Sequence, residues 1–145
     1  MRKHFDRLSE FGGFSYTDDR PLADEAIQFS YLNVQVENGT LVGSWQVVVG
    51  NAIVTGLDSP PPENISNPLQ RYIRYSIYVQ DDSSGEPDKR DFELTSDSDS
   101  QDGYVLMDGL ERGRYVVRAT MSAQYYVDGN GRSYNSSVTP HVIRY

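Results

Sequence analysis

The chain of 145 residues contains no cysteine, which excludes a disulfide framework and any thiolate metal site and leaves the core alone to hold the fold. Basic residues are scarce: 13 Lys and Arg stand against 21 Asp and Glu, for a formal net charge of −8. Nucleic-acid binding draws most of its affinity from clustered Lys and Arg, so no nucleic-acid partner is expected. Only two histidines occur, His4 close to the N-terminus and His141 beside Pro140. A nucleophile needs a histidine or an equivalent base beside a Ser or Cys, so a hydrolase triad is not expected. Apolar runs are short, with Val47-Val48-Val49 and Tyr115-Val116-Val117 among the longest. Crossing a bilayer as a helix takes about 20 apolar residues, and no membrane role is expected. The stretch Met1-Arg2-Lys3-His4-Phe5-Asp6-Arg7 is basic but leads into polar residues, without the about 7 to 15 apolar positions of a secretory signal.

Aromatic and β-branched residues, by contrast, are plentiful. The chain carries 11 Tyr and 5 Phe, residues that suit a pleated, half-buried surface. Residues 1–27 show no strand alternation and are read as an N-terminal arm. In it Met1, Phe5 and Leu8 fall at helical spacing, and Phe11, Phe14 and Tyr16 add apolar anchors around Gly12-Gly13. So short a helix is marginal alone in water, so the arm is expected to cover its own domain or dock on a neighbour.

From Ile27 the apolar period becomes two, and residues 28–145 are read as one β-sandwich domain. Phe29 to Val36 makes a first strand, closed by the turn signal Asn38-Gly39. In the next, Leu41, Gly43, Trp45 and Val47 share the core face. Gly50-Asn51 is expected to turn the chain into a small hairpin over 52–55. The segment Asp58 to Pro68 holds four prolines and reads as a long, stiff, exposed connection. Tyr72 to Val79 is the cleanest strand, with Ile73, Tyr75, Ile77 and Val79 inward and Arg74 and Ser76 outward. A strand follows over 90–94, then a Ser/Asp-rich loop over 96–103, then Tyr104 to Met107. Arg114 to Val127 places Tyr115, Val117, Ala119 and Met121 inward, turns at Asp128-Gly129-Asn130-Gly131, and returns over 132–143 as an edge strand marked by Pro140. About seven strands without a core helix predict an all-β, two-sheet antiparallel sandwich.

Leu41-Val42-Gly43-Ser44-Trp45 is similar to the second strand of fibronectin type III domains, Ile73 to Tyr78 resembles the third, and Tyr104 to Ala119 resembles the run into the sixth. The resemblance implies a fibronectin type III-like, or more distantly immunoglobulin-like, sandwich in which Leu110 and Tyr115 fill the tyrosine corner. Two departures stand out: the Leu-to-Tyr spacing is one residue short of the family pattern and lacks its proline, and a long insertion separates the Trp strand from the third.

Oxygen-rich Asp97 to Gly103 misses calcium-loop spacing, since its glycine comes one position late and Gln101 stands at a ligand position. Neither a metal nor a cofactor is expected, and no enzyme. The informative surplus is tyrosine: Tyr72, Tyr78, Tyr125, Tyr126, Tyr134 and Tyr145 exceed what strand alternation can bury, and surface tyrosine favours contacts. The partner-binding candidates are Phe5, Leu8, Phe11, Phe14, Tyr16, Tyr125 and Tyr126. They point to a structural component of a larger assembly of protein subunits, such as a bacteriophage or viral capsid decoration, tail or connector protein in the virion. The alternative is an adhesion module, at a cell surface by a non-Sec route, that binds glycan or protein through the Pro60–Pro68 loop and the Asp128–Gly131 hairpin.

Overall fold

A computed structural model describes residues 12–83 and 85–145. Among these described residues eight strands and one short helix follow in order: β1 (Gly13–Thr17), β2 (Ile27–Glu37), β3 (Thr40–Val49), α1 (Asn51–Gly56), β4 (Tyr72–Asp81), β5 (Asp88–Leu94), β6 (Ser98–Met107), β7 (Arg114–Val127) and β8 (Asn130–Arg144). They form two antiparallel four-stranded sheets, β1-β2-β3-β6 and β5-β4-β7-β8. The fold is therefore the all-β sandwich that the alternation predicts.

Local chemistry sets the two tightest hairpins. Asn38 and Gly39 join β2 to β3 with φ of 53° and 78°, and Asp128 and Gly129 join β7 to β8 with φ of 50° and 78°. Both central residues of a type I′ turn take positive φ, which Asn, Asp and Gly tolerate, and the twist of that turn matches the strands it connects. Register follows from the turns: Glu37 pairs with Thr40, and Val127 with Asn130. Alternation then sends Leu41, Gly43, Trp45, Val47 and Val49 inward from β3, and Ile73, Tyr75, Ile77 and Val79 inward from β4. Gly43 is glycine because the Trp45 ring folds over it: a Cβ there would lie 2.7 Å from the indole Cζ3.

The centre of the core is aromatic. Trp45, fully buried, packs against Tyr75, Phe92 and Tyr104, and the Tyr75 and Phe92 rings stack at 4.7 Å. The indole N–H donates to the Tyr75 hydroxyl at 2.9 Å, and that hydroxyl donates to Asp99 Oδ2. The polar atoms that Trp45 and Tyr75 bring into the core thus have partners, without which their burial would be costly. Burial, then the Asp99 carboxylate, push the Tyr75 phenol far above its ordinary range. At the opposite end Tyr115 donates to the Glu111 carbonyl at 2.6 Å and ties the turn before β7 to the strand.

Three local expectations give way. Gly13–Thr17, read as part of an arm, pairs with β2 as the outermost strand of its sheet. The segment after Gly50 is a helical turn rather than a hairpin: Ile53 and Gly56, three residues apart, are the ones it buries. A tertiary position with room for one turn against β7 overrides the β-branched composition. The Ser/Asp-rich stretch read as a loop forms the first half of β6, where Val47 pairs with Asp99 and Val48 with Ser98. As an edge strand with one side wet, β6 has little need of apolar residues there. Its polar side chains find specific partners, Asp99 on Tyr75 and Asp102 on Ser44 at 3.1 Å.

Candidate functional site

At the end of the sandwich that holds α1, the connection from Leu57 to Arg71 folds over the outer face of β7 and meets the β7–β8 hairpin. Inward positions of β7 are odd-numbered, from Tyr115 to Tyr125, so Tyr126 starts out on the outer face. It is nonetheless only 3 % exposed, because the proline-rich connection covers it. The covering is held by a hydrogen bond in which the Leu69 N–H donates to the Tyr126 hydroxyl at 2.7 Å. The Arg71 guanidinium lies 5.5 Å from the centre of the same ring and donates to the Ser59 carbonyl, which ties the two ends of the connection to each other.

Between connection and hairpin runs an open groove with a volume of about 420 Å³. Pro62, Ile65 and Leu69 form its apolar wall, and Gly131, Arg132 and Ser133 form the other. Gly131 lies across from Leu69: a Cβ there would sit 3.6 Å from Leu69 Cδ2, an ordinary van der Waals contact. Ile65 is 44 % exposed, a large apolar side chain left in water at the groove's rim. Arg132 is tethered to Glu25, with 3.1 Å between Nη1 and Oε2, while Tyr125 donates to Glu25 Oε1 at 2.8 Å. Burial, then the Glu25 carboxylate, push the Tyr125 phenol up to about 12. The shape offers apolar contact on one side and backbone and polar side chains on the other, a chemistry of recognition.

The residues singled out from the sequence fall in two places. Tyr125 and Tyr126, expected on the surface, are inside: Tyr125 is 2 % exposed in the core, and Tyr126 is the floor on which the proline-rich connection rests. Phe14 and Tyr16 lie on β1, half-buried against His141 of β8; Phe14 stacks on its imidazole at 4.2 Å and Tyr16 meets it edge-on at 6.3 Å. Phe5, Leu8 and Phe11 lie outside the described residues. Of the other surplus tyrosines, Tyr72 lies under Arg74 at 3.9 Å and Tyr78 under Arg118 at 3.8 Å. The Pro60–Pro68 loop and the Asp128–Gly131 hairpin, named separately from the sequence, line the same groove. Leu69, Arg71 and Glu25 were not legible as site residues: Glu25 lies 107 positions from Arg132, and no local pattern announces the pairing. Among the described residues no cluster of three or more His, Cys, Asp or Glu is placed to hold a metal ion.

His141 has a measurable consequence. Among the described residues its Nε2 is buried without a hydrogen-bond partner, and burial alone lowers its pKa below 6.5. The unfolded chain then binds the proton more readily than the folded one. Stability from this site is present above pH 6.5 and is lost as the pH falls through the lowered folded value. His141→Phe should remove that dependence, so denaturant midpoints at about pH 5 and pH 7.5 should differ less in the variant than in the parent. Equal differences in the two proteins would show that the imidazole stays neutral or finds a partner.

No protein-family model, curated protein or solved structure matches this chain.

Proposed function

We propose that this chain is a non-enzymatic, fibronectin type III-like module that acts as a structural component of a larger protein assembly, such as a virus particle, and docks a neighbouring protein in the groove between its proline-rich connection and the β7–β8 hairpin. The strand order supports the family reading, since β2-β3-β6 facing β5-β4-β7-β8 is the arrangement that the family likeness implies, with β1 added at one edge. The Tyr115 hydroxyl on the Glu111 carbonyl supports the tyrosine corner.

The observation that carries the docking reading is how the proline-rich wall of the groove is held. An exposed Ile65 stands on a connection made stiff by Pro60, Pro61 and Pro62, fastened to Tyr126 and tied across itself from Arg71 to Ser59. Binding to a site already ordered avoids the conformational cost of closing a loop.

A photo-reactive amino acid in place of Ile65, in cells that produce the protein, tests this. The expected result is one dominant cross-linked protein, identified by mass spectrometry, whose yield falls when Leu69→Asp is added. Cross-linking to many proteins alike would refute the docking reading. Binding of the purified chain on a glycan array, lost with Leu69→Asp, would replace it by the glycan reading.

A further inference from the structure

A sandwich of two open sheets has four edge strands, and each presents unpaired backbone groups that invite another strand. Three of the four are blunted. The edge strand β1 is only five residues long. In β5, Asp88, Lys89, Arg90, Asp91 and Glu93 put a charge at nearly every position. Carboxylates Asp99 and Asp102 mark β6, and its pairing with β3 is interrupted by two register shifts.

The fourth, β8, is different. It is the longest strand, with 15 residues, and ends its sheet. Pro140 and the register shift between Val117 and Ala119 interrupt its far half. The near half, Gly131-Arg132-Ser133-Tyr134-Asn135-Ser136-Ser137, has no proline, no carboxylate and one cation, and that cation is paired with Glu25. Gly131, Arg132, Ser133, Asn135 and Ser137 are exposed. Because Val127 and Asn130 close the two-residue turn as a hydrogen-bonded pair, alternation turns the N–H and C=O groups of Gly131, Ser133, Asn135 and Ser137 away from β7.

We propose that this edge pairs antiparallel with the same edge of a second copy, about a two-fold axis at Tyr134, and joins two four-stranded sheets into one. In that register Ser133 faces Asn135 of the second copy, Gly131 faces Ser137, and Arg132 faces Ser136. No like charges meet, although the chain as a whole carries −8. Self-complementarity of this kind is what an isologous contact requires, and it favours a second copy over an unrelated extended peptide. The edge shares Gly131, Arg132 and Ser133 with one wall of the groove, but the pairing uses their backbone groups and needs nothing docked there.

Sedimentation of the purified full chain is the test. The parent is expected to pass from monomer to dimer with rising concentration. Asn135→Pro removes an outward N–H without touching the β7–β8 ladder, so it should stay monomeric with an unchanged melting temperature. Asn135→Lys, which adds a charge of the kind that guards β5, should also be monomeric and decides the question if the proline variant does not fold. Ile65→Asp should dimerise like the parent. A parent that remains monomeric up to about 1 mM, or a dimer that persists in the folded edge variants, overturns the proposal.

Discussion

Trp45→Ala should lower the stability of the sandwich by about 3–5 kcal/mol, the usual cost of emptying a large aromatic site in a core that cannot collapse around it. The indole is fully buried, and its removal strips contacts from Tyr75, Phe92 and Tyr104 together. It also deprives the Tyr75 hydroxyl of the indole N–H, while the hydroxyl still faces Asp99. Domains of this size are stable by only about 5–15 kcal/mol, so the loss is a large part of the whole. Urea unfolding followed by circular dichroism should show a much lower midpoint with an unchanged slope, since the surface exposed on unfolding stays nearly the same. Trp45→Phe, which keeps a ring but not the N–H, should lie between the two. A midpoint within error of the parent's in the alanine variant would mean that Trp45 does not anchor the two sheets.

Gly50→Ala is expected to be the most damaging single-methyl addition, at about 3 kcal/mol or more, because the added atom meets backbone that cannot swing aside. A Cβ at Gly50 would lie 2.2 Å from the Asp24 carbonyl oxygen and 2.4 Å from that of Ala23. The two segments are also bonded there, with Gly50 N–H on Ala26 O at 2.8 Å and Ala52 N–H on Asp24 O at 3.1 Å. The connection into β2 and the start of α1 must therefore separate. A matched control is Gly85→Ala, where nothing lies within 4 Å. That change should be neutral, or stabilising by up to about 1 kcal/mol through the unfolded chain. Equal denaturant midpoints for the two variants would show that the close approach at Gly50 relaxes at little cost.

Both predictions rest on contacts of different legibility. Trp45 could be placed in the core from its strand alone, since Leu41, Gly43, Trp45 and Val47 alternate. The close approach at Gly50 could not: it depends on residues 23 and 24, and the local sequence around Asn51 to Thr55 reads as strand. The groove divides in the same way. Its two walls were recognisable as a proline-rich connection and an Asp-Gly hairpin, each from its own residues. Their meeting was not, because it is made by Leu69 and Tyr126, which are 57 positions apart.

Legible in the residues alone are the strands whose one face is apolar, the two type I′ hairpins, the inward face of β3, β4 and β7, and the edge position of the strand carrying Pro140. These follow from periodicity and turn chemistry, which act over a few residues. Long-range contacts bury Tyr126 on the outer face, make Ser/Asp-rich 98–103 a strand and residues 51–56 a helix, and bring β1 into the sheet. Each depends on which distant segment covers a surface or supplies a partner for a polar atom, and burial of that kind has no local signature.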